Sequence, residues 1–325
     1  MRKLLNRSTL CWIALTIGVY AVIAALIHRD IINAYYQITL ITIAIDIVLA
    51  VSLNLIIGVC GQFSLGHAGF MCIGAYCGAI VTKTMPNLTG LLLGLVVGIV
   101  VSALAALVVA IPTLRLKGDY LAIATLGFSE IIRIIVLNLE ITNGAAGLTN
   151  IPKMTNWTIA YIAIVVSLII IVNFGRSSSG RACISIREDE IAAEAMGINL
   201  TKYKCIAFII GAALASVAGG LYASYFRVIK PELFNFNKSV DVLIIVVFGG
   251  IGSITGSVIA GVLLGLITLA LQSFAQVRMI LYAVAIVAIM IFRPEGLLGT
   301  SEFTFSGLFK RFKKGGVKHV DSNNA

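Results

Sequence analysis

Long apolar runs separated by short polar breaks dominate this chain. They lie at Leu10–Ile27, Ile38–Val59, Phe63–Val81, Leu88–Ile111, Tyr120–Leu139, Trp157–Phe174, Cys205–Phe226, Val240–Leu271 and Val277–Phe292. Each clear run approaches the roughly 20 residues that a helix needs to cross the hydrocarbon core. Runs of this kind read as helices, because a chain in lipid must satisfy its backbone polar groups internally. The first run follows Arg2, Lys3 and Arg7. It is too long for a signal-peptide core and lacks a clean A-x-A site, so it reads as a first span that stays. Val240–Leu271 is longer than one crossing and interrupted by glycines, which predicts a broken or re-entrant element. The expected fold is an all-α, polytopic membrane protein with about 8–10 transmembrane helices.

Composition agrees and removes competitors. Of 325 residues, 59% are apolar and 12% charged, and the mean hydropathy is +1.04. The charged share is about half that of a soluble domain, which excludes a soluble enzyme and a disordered chain. The net charge of +10 would suit nucleic acid only if the bases covered a folded polar face. They do not. Most are gathered in the 1–9 stub, the 112–119 loop, the 175–204 loop and the 293–325 tail. By the positive-inside rule these four segments are cytoplasmic, and so are both termini. Arg29, Lys83, Lys153, Arg227, Lys230 and Lys238 are left for the outer loops. The chain divides into an N-terminal stub (1–9), a membrane domain (10–292) and a basic tail (293–325).

The six cysteines lie mostly in apolar runs, no C-x-x-C occurs, and the three histidines are isolated. Neither a metal site nor a cofactor is expected, nor a disulfide framework. The segment Phe248–Gly256 is glycine-rich, but it lacks the βαβ context of a dinucleotide site, and there is no P-loop. Small residues recur as G-x-x-x-G at Gly74/Gly78, Gly94/Gly98, Gly252/Gly256 and Gly261/Gly265, a spacing that lets helices pack closely within one chain.

Three segments carry candidate chemistry. Gln62, Ser64 and His67 stand among glycines at the entry to an apolar run. They suit a locally open backbone facing protein or a wet cavity, as direct substrate contacts or as a cap with tight packing. Glu130 and Arg133, in the segment that also holds Thr125, share a helix face and can neutralise each other, either on a pathway or as a pin between helices. Asp46 sits mid-run with no basic partner within a turn. It pairs with another helix, faces a water-filled pathway, or is protonated. In the 175–204 loop, Asp189 can cap a short helix that Gly197 ends, with Arg187, Glu190, Ala192, Ala193, Glu194 and Ala195 on or beside it. Its alanine-rich face suits docking into a cleft on a cytoplasmic partner, or it is a plain connector.

The segments G-Q-F-S-L-G-H-A-G-F, Y-L-A-I-A-T-L-G-F-S-E-I-I-R, A-A-E-A-M-G-I and R-P-E-G-L-L-G occur in that order. The ordered set, over about residues 38–299, resembles the LivM-type permease family of bacterial branched-chain amino-acid ABC importers. The resemblance implies a non-catalytic inner-membrane permease subunit that pairs with a second, LivH-like permease. It also implies two cytoplasmic ATPases that hydrolyse ATP and a periplasmic amino-acid-binding protein. Residues 187–198 would be the loop that docks on an ATPase. Ile191 stands where glutamate is usual, and no Leu-Pro follows. A urea or short-amide permease of the same family and a secondary transporter are the alternative readings. In the tail, Phe305, Leu308, Phe309 and Phe312 alternate with bases, the pattern of an interfacial helix on lipid or of a floppy basic segment.

Overall fold

The computed structural model describes residues 7–113, 116 and 118–270, with isolated positions 284, 287, 296, 297 and 299 beyond them. The tail pattern at 305–312 lies outside the described residues, and so does nearly all of the apolar run at 277–292. The described residues form eleven α-helices, short 3-10 turns and one isolated β-bridge, so the fold is all-α.

Helix α1 (Arg7–His28) is followed by α2 (Ala34–Asn54), which ends in a π-helical turn, Leu55–Val59. Next come α3 (His67–Thr84), α4 (Leu88–Thr113), α5 (Asp119–Asn138) and α6 (Trp157–Arg176). The 175–204 loop holds α7 (Ser178–Glu188) and α8 (Glu190–Ala195). Helices α9 (Leu200–Phe226), α10 (Phe236–Gly249) and α11 (Ile254–Ala270) complete the described chain.

Five helices are long and apolar enough to cross a membrane: α2 with its π turn, α4, α5, α6 and α9. The pair α10/α11, bent by 118° at its break, makes a sixth if taken as one span. This is the expected broken or re-entrant element. This count covers the described residues only, which exclude nearly all of the run at 277–292, and among them two runs differ from single crossings. Val240–Leu271 divides into two helices, and the run starting at Phe63 gives its first residues to a loop, with α3 beginning only at His67.

The core is built on close backbone approach. Helices α3, α4 and α9 pack mutually, and α2 is buried against α9, α11, α6 and α10. A Cβ on Gly74 of α3 would stand 1.9 Å from the Ser216 carbonyl oxygen of α9, and one on Gly98 of α4 would meet Gly74 Cα at 3.3 Å. The G-x-x-x-G spacings thus serve intramolecular packing. Between these contacts Phe70 and Phe208 meet edge to face, with ring centroids 5.5 Å apart.

Contacts along α2 set the direction of the broken pair. Lys238, in the first turn of α10, meets Asp46, and Gly252, just past its end, meets Asn54, so α10 runs parallel to α2. A Cβ on Gly261 would touch Ile47 and one on Gly265 would touch Ile43, so α11 returns antiparallel. The turn Pro231–Phe234 precedes α10, with buried Phe234 against Tyr76 and Tyr222. The loops at 139–156 and 227–235 are joined by the Leu148–Ile229 bridge.

Candidate functional site

The loop from Cys60 to Gly66 holds Gln62 and Ser64 and leads into α3 at His67, with α5 and α10 alongside. His67 Nε2 lies 2.7 Å from Ser52 Oγ, whose hydroxyl donates to the Leu49 carbonyl. The Leu65 N–H donates to Thr125 Oγ1 at 3.1 Å, and the Ala68 N–H donates to Ser239 Oγ at 3.0 Å. Side chains of α5 and α10 therefore hold the amides at the start of α3, which no earlier helical turn can satisfy. Ser64 Oγ accepts weakly from the Gly66 N–H at 3.4 Å.

Gln62 is 2% exposed, and neither end of its amide has a partner among the described residues. His67 Nδ1 and Ser129 Oγ are likewise buried and unpaired. Buried polar atoms are normally bonded, and three such residues on adjoining elements mark polar space inside an apolar protein.

Asp46, Glu130 and Arg133 all lie in ion pairs. Arg133 Nε donates to Glu130 Oε2 at 2.7 Å along α5, with side chains 24% and 27% exposed. Lys238 Nζ donates to Asp46 Oδ1 at 2.7 Å, each side chain 22% exposed. Asp46 thus has a partner on another helix, a lysine that the charge pattern alone puts in an outer loop. Its neighbours Ile45 and Ile47 are buried, so α2 presents Asp46 at an opening in an otherwise covered surface.

In the 175–204 loop the expected cap is present. Asp189 Oδ1 accepts from the N–H groups of Ile191 and Ala192, and Gly197 ends the turn at φ +83°. Asn199 caps α9 by accepting from the Lys202 N–H. Glu190 is ion-paired to the buried Lys204 of α9. Ala193 faces inward, while Ala192, Glu194, Ala195 and Gly197 are exposed, as are the large side chains of Ile191 (76%) and Met196 (83%). Arg187 turns away from this exposed face, and its Nη1 donates to the Gly58 carbonyl at 2.6 Å.

The break between α10 and α11 is held by Asn54. Its Oδ1 accepts from the Gly252 N–H, and its Nδ2 donates to Ser253 O and Ser257 Oγ, all at 2.8–2.9 Å. The Leu297 N–H donates to the Phe248 carbonyl, so Leu297 lies beside this break. Among the described residues no group of three or more metal-ligating side chains occurs.

The sequence model of the family described as branched-chain amino acid transport system / permease component matches residues 35–293. This chain belongs to that family. The permease is 37% identical to the LivM permease protein of a high-affinity branched-chain amino acid transport system from Salmonella typhimurium, over 78% of this chain and 68% of that protein. It is 32% identical to the corresponding LivH permease protein of Escherichia coli, over 49% of this chain and 51% of that one. The BraD permease protein of Pseudomonas aeruginosa is 28% identical over 78% of this chain and 91% of its own. The permease is accordingly a multi-pass inner-membrane transport subunit of an ABC system rather than an enzyme.

Several residues of this permease's site were not singled out by sequence reasoning. Lys238 and Lys204 stand among loop and helix-end bases, where nothing in the sequence points to a partner 192 or 14 residues away. Asn54 was the more legible omission. An amide at the end of an otherwise apolar run signals a buried polar anchor.

Proposed function

We propose that this chain is the LivM-like half of an ATP-driven importer for leucine, isoleucine and valine, working beside a LivH-like permease. Two cytoplasmic ATPases drive it, and a periplasmic binding protein delivers substrate. The observation that carries this reading is the placement of charge on helices in the membrane domain. Glu130 and Arg133 on α5, and Asp46 with Lys238 on α2 and α10, keep about a quarter of their side-chain surface open. A charge facing lipid at mid-bilayer costs roughly 2.5–3.5 kcal/mol even by the mildest scale. Open charges there are accommodated when they face a water-lined pathway or a second permease. Helix α5 also adjoins α10 and the Pro231–Phe234 turn.

The unpaired Gln62, Ser129 and His67 Nδ1 are buried at the entry to α3 and on α5, as are Ser64 and Thr125. They are groups that a pathway would solvate when it opens and leave unpaired when it closes. In this arrangement both termini and the 175–204 loop are cytoplasmic, and the bridged loops at 139–156 and 227–235 receive the binding protein. The exposed Ile191 and Met196, with Ala192, Glu194, Ala195 and Gly197, form the ATPase-facing surface of α8. Ile191 supplies an apolar knob at the position where the family carries glutamate.

The test is uptake of labelled leucine into proteoliposomes holding both permeases and both ATPases, with binding protein outside and ATP inside. Leucine uptake that needs ATP and binding protein is the expected result. Uptake of urea in its place would move the substrate to the short amides, and uptake without the ATPases would make the chain a secondary transporter.

A further inference from the structure

Arg187 is the penultimate residue of α7, two positions before the Asp189 that caps α8. Its side chain runs inward along Gly61, where an ideal Cβ would sit 3.0 Å from Arg187 Cγ. Its Nη1 donates to the Gly58 carbonyl at 2.6 Å and stands 3.3 Å from where a Cβ on Gly252 would be. One guanidinium nitrogen therefore bonds the π turn at the end of α2 and lies beside the break between α10 and α11. Its outer edge is held by Glu188, whose Oε1 accepts from Nε at 3.1 Å and from Nη2 at 2.5 Å.

The backbone explains why the cation sits there. The Gln62 N–H bonds to the Ile56 carbonyl and the Gly61 N–H to that of Ile57, so the backbone passes over Gly58 O and leaves it to Arg187. A positive charge at the carbonyl end of α2 is also favoured by the helix dipole. Glycine at 252 (φ +94°) allows the guanidinium to reach the second break, and a side chain at 58 would collide with Asn54 and Gly252. Asn54 meanwhile bonds the two breaks to each other through Gly252 and Ser253. Movement of Arg187 thus acts on α2, α10 and α11 together.

We infer that Arg187 is a positioning residue of the transport cycle, passing displacement of the docking helix α8 to the paired breaks at Gly58 and Gly250–Ser253. This rests on the reading of α8 as the ATPase dock. In this linkage the Glu190–Lys204 pair carries the same displacement to α9 by a second route. A lysine at 187 keeps the charge but lacks the planar fork that holds Gly58 through Nη1 and Glu188 through Nε and Nη2.

The experiment uses the complete importer in proteoliposomes, with Arg187→Met, Arg187→Lys and wild type. Each also carries a cysteine at Ala192 for crosslinking to the ATPase. Arg187→Met should lower leucine transported per ATP hydrolysed by about ten-fold, the size of a typical coupling term. Crosslinking, complex recovery and hydrolysis without binding protein should stay within about two-fold of wild type on the same scale. Arg187→Lys should fall between. An unchanged transport-to-ATP ratio in Arg187→Met overturns the inference alone. So does a joint loss of crosslinking and complex recovery, because Arg187 would then only hold α8 in shape. If wild type with the Ala192 cysteine gives no crosslink to the ATPase, the docking assignment itself fails, and this inference with it.

Discussion

Asp46 and Lys238, 192 residues apart in the chain, are joined by a 2.7 Å ion pair between two helices of the membrane domain. The pair sets the register of α10 against α2 and lies one face away from Ser239, which holds the start of α3. Removing one partner takes away the hydrogen-bonded counter-charge of the other in a region that is mostly apolar, and leaves Lys238 only the more distant Asp241 when Asp46 is neutralised. Asp46→Asn and Lys238→Met should each cost about 2–3 kcal/mol, slightly less than breaking a fully covered pair because some water reaches this one. The exchanged double variant, Asp46→Lys with Lys238→Asp, should recover part of that loss. Thermal unfolding in detergent measures all three, and an exchanged variant that loses as much as the two single variants together would show that the two residues are not coupled.

Gly74 has no room for a methyl group, since its Cβ would meet the Ser216 carbonyl at 1.9 Å. Gly74→Ala should separate α3 from α9 at a cost of about 1–3 kcal/mol. The effect should appear as a lower Tm and poorer recovery of the purified protein. Gly127 on α5 is the internal control, because nothing stands within 4 Å of a Cβ there. Gly127→Ala should leave stability unchanged or slightly raised.

Glu130 and Arg133 are three residues apart on one helix, so their pair joins no two helices and contributes to folding only about 1 kcal/mol or less. If the pair faces the pathway, transport is the sensitive readout. Glu130→Gln should reduce the leucine uptake rate about ten-fold, while Tm moves little. Equal losses of stability and uptake would instead identify the pair as structural.

Glu190 and Glu194 share α8 but differ in what they meet. Glu190 pairs with Lys204, which is 8% exposed, whereas Glu194 is exposed. Charge reversal of Glu190 faces a buried lysine and should both uncouple transport and destabilise the loop by about 3 kcal/mol or more. Reversal of Glu194 should weaken ATPase binding alone. Co-purification of the ATPases and Tm, measured for both variants, separate the two effects.

The residues that sequence pattern located were those whose chemistry is local. Asp189 and Gly197 bound a short helix through bonds reaching no more than a few positions, and both do so in the structure. Glu130 and Arg133 meet because three residues along a helix return to the same face. The glycines of Val240–Leu271 announced a break, and the chain turns there by 118°. The partners of Asp46, Glu190 and Gly58 were not legible, because each lies on a separate helix whose position depends on how the whole bundle packs.

By itself, then, the sequence determined an all-α membrane protein, the ordered family motifs and the cap-bounded loop helix. Each of these follows from hydrophobicity and hydrogen bonding along a single segment. Only the tertiary structure decided that Lys238 answers Asp46, that Arg187 turns inward to Gly58, and that Asn54 ties the π turn of α2 to the break before α11. The physical reason is that polar groups in lipid must find partners within the protein. When a helix cannot supply them itself, the choice passes to whichever neighbour the packing brings within reach.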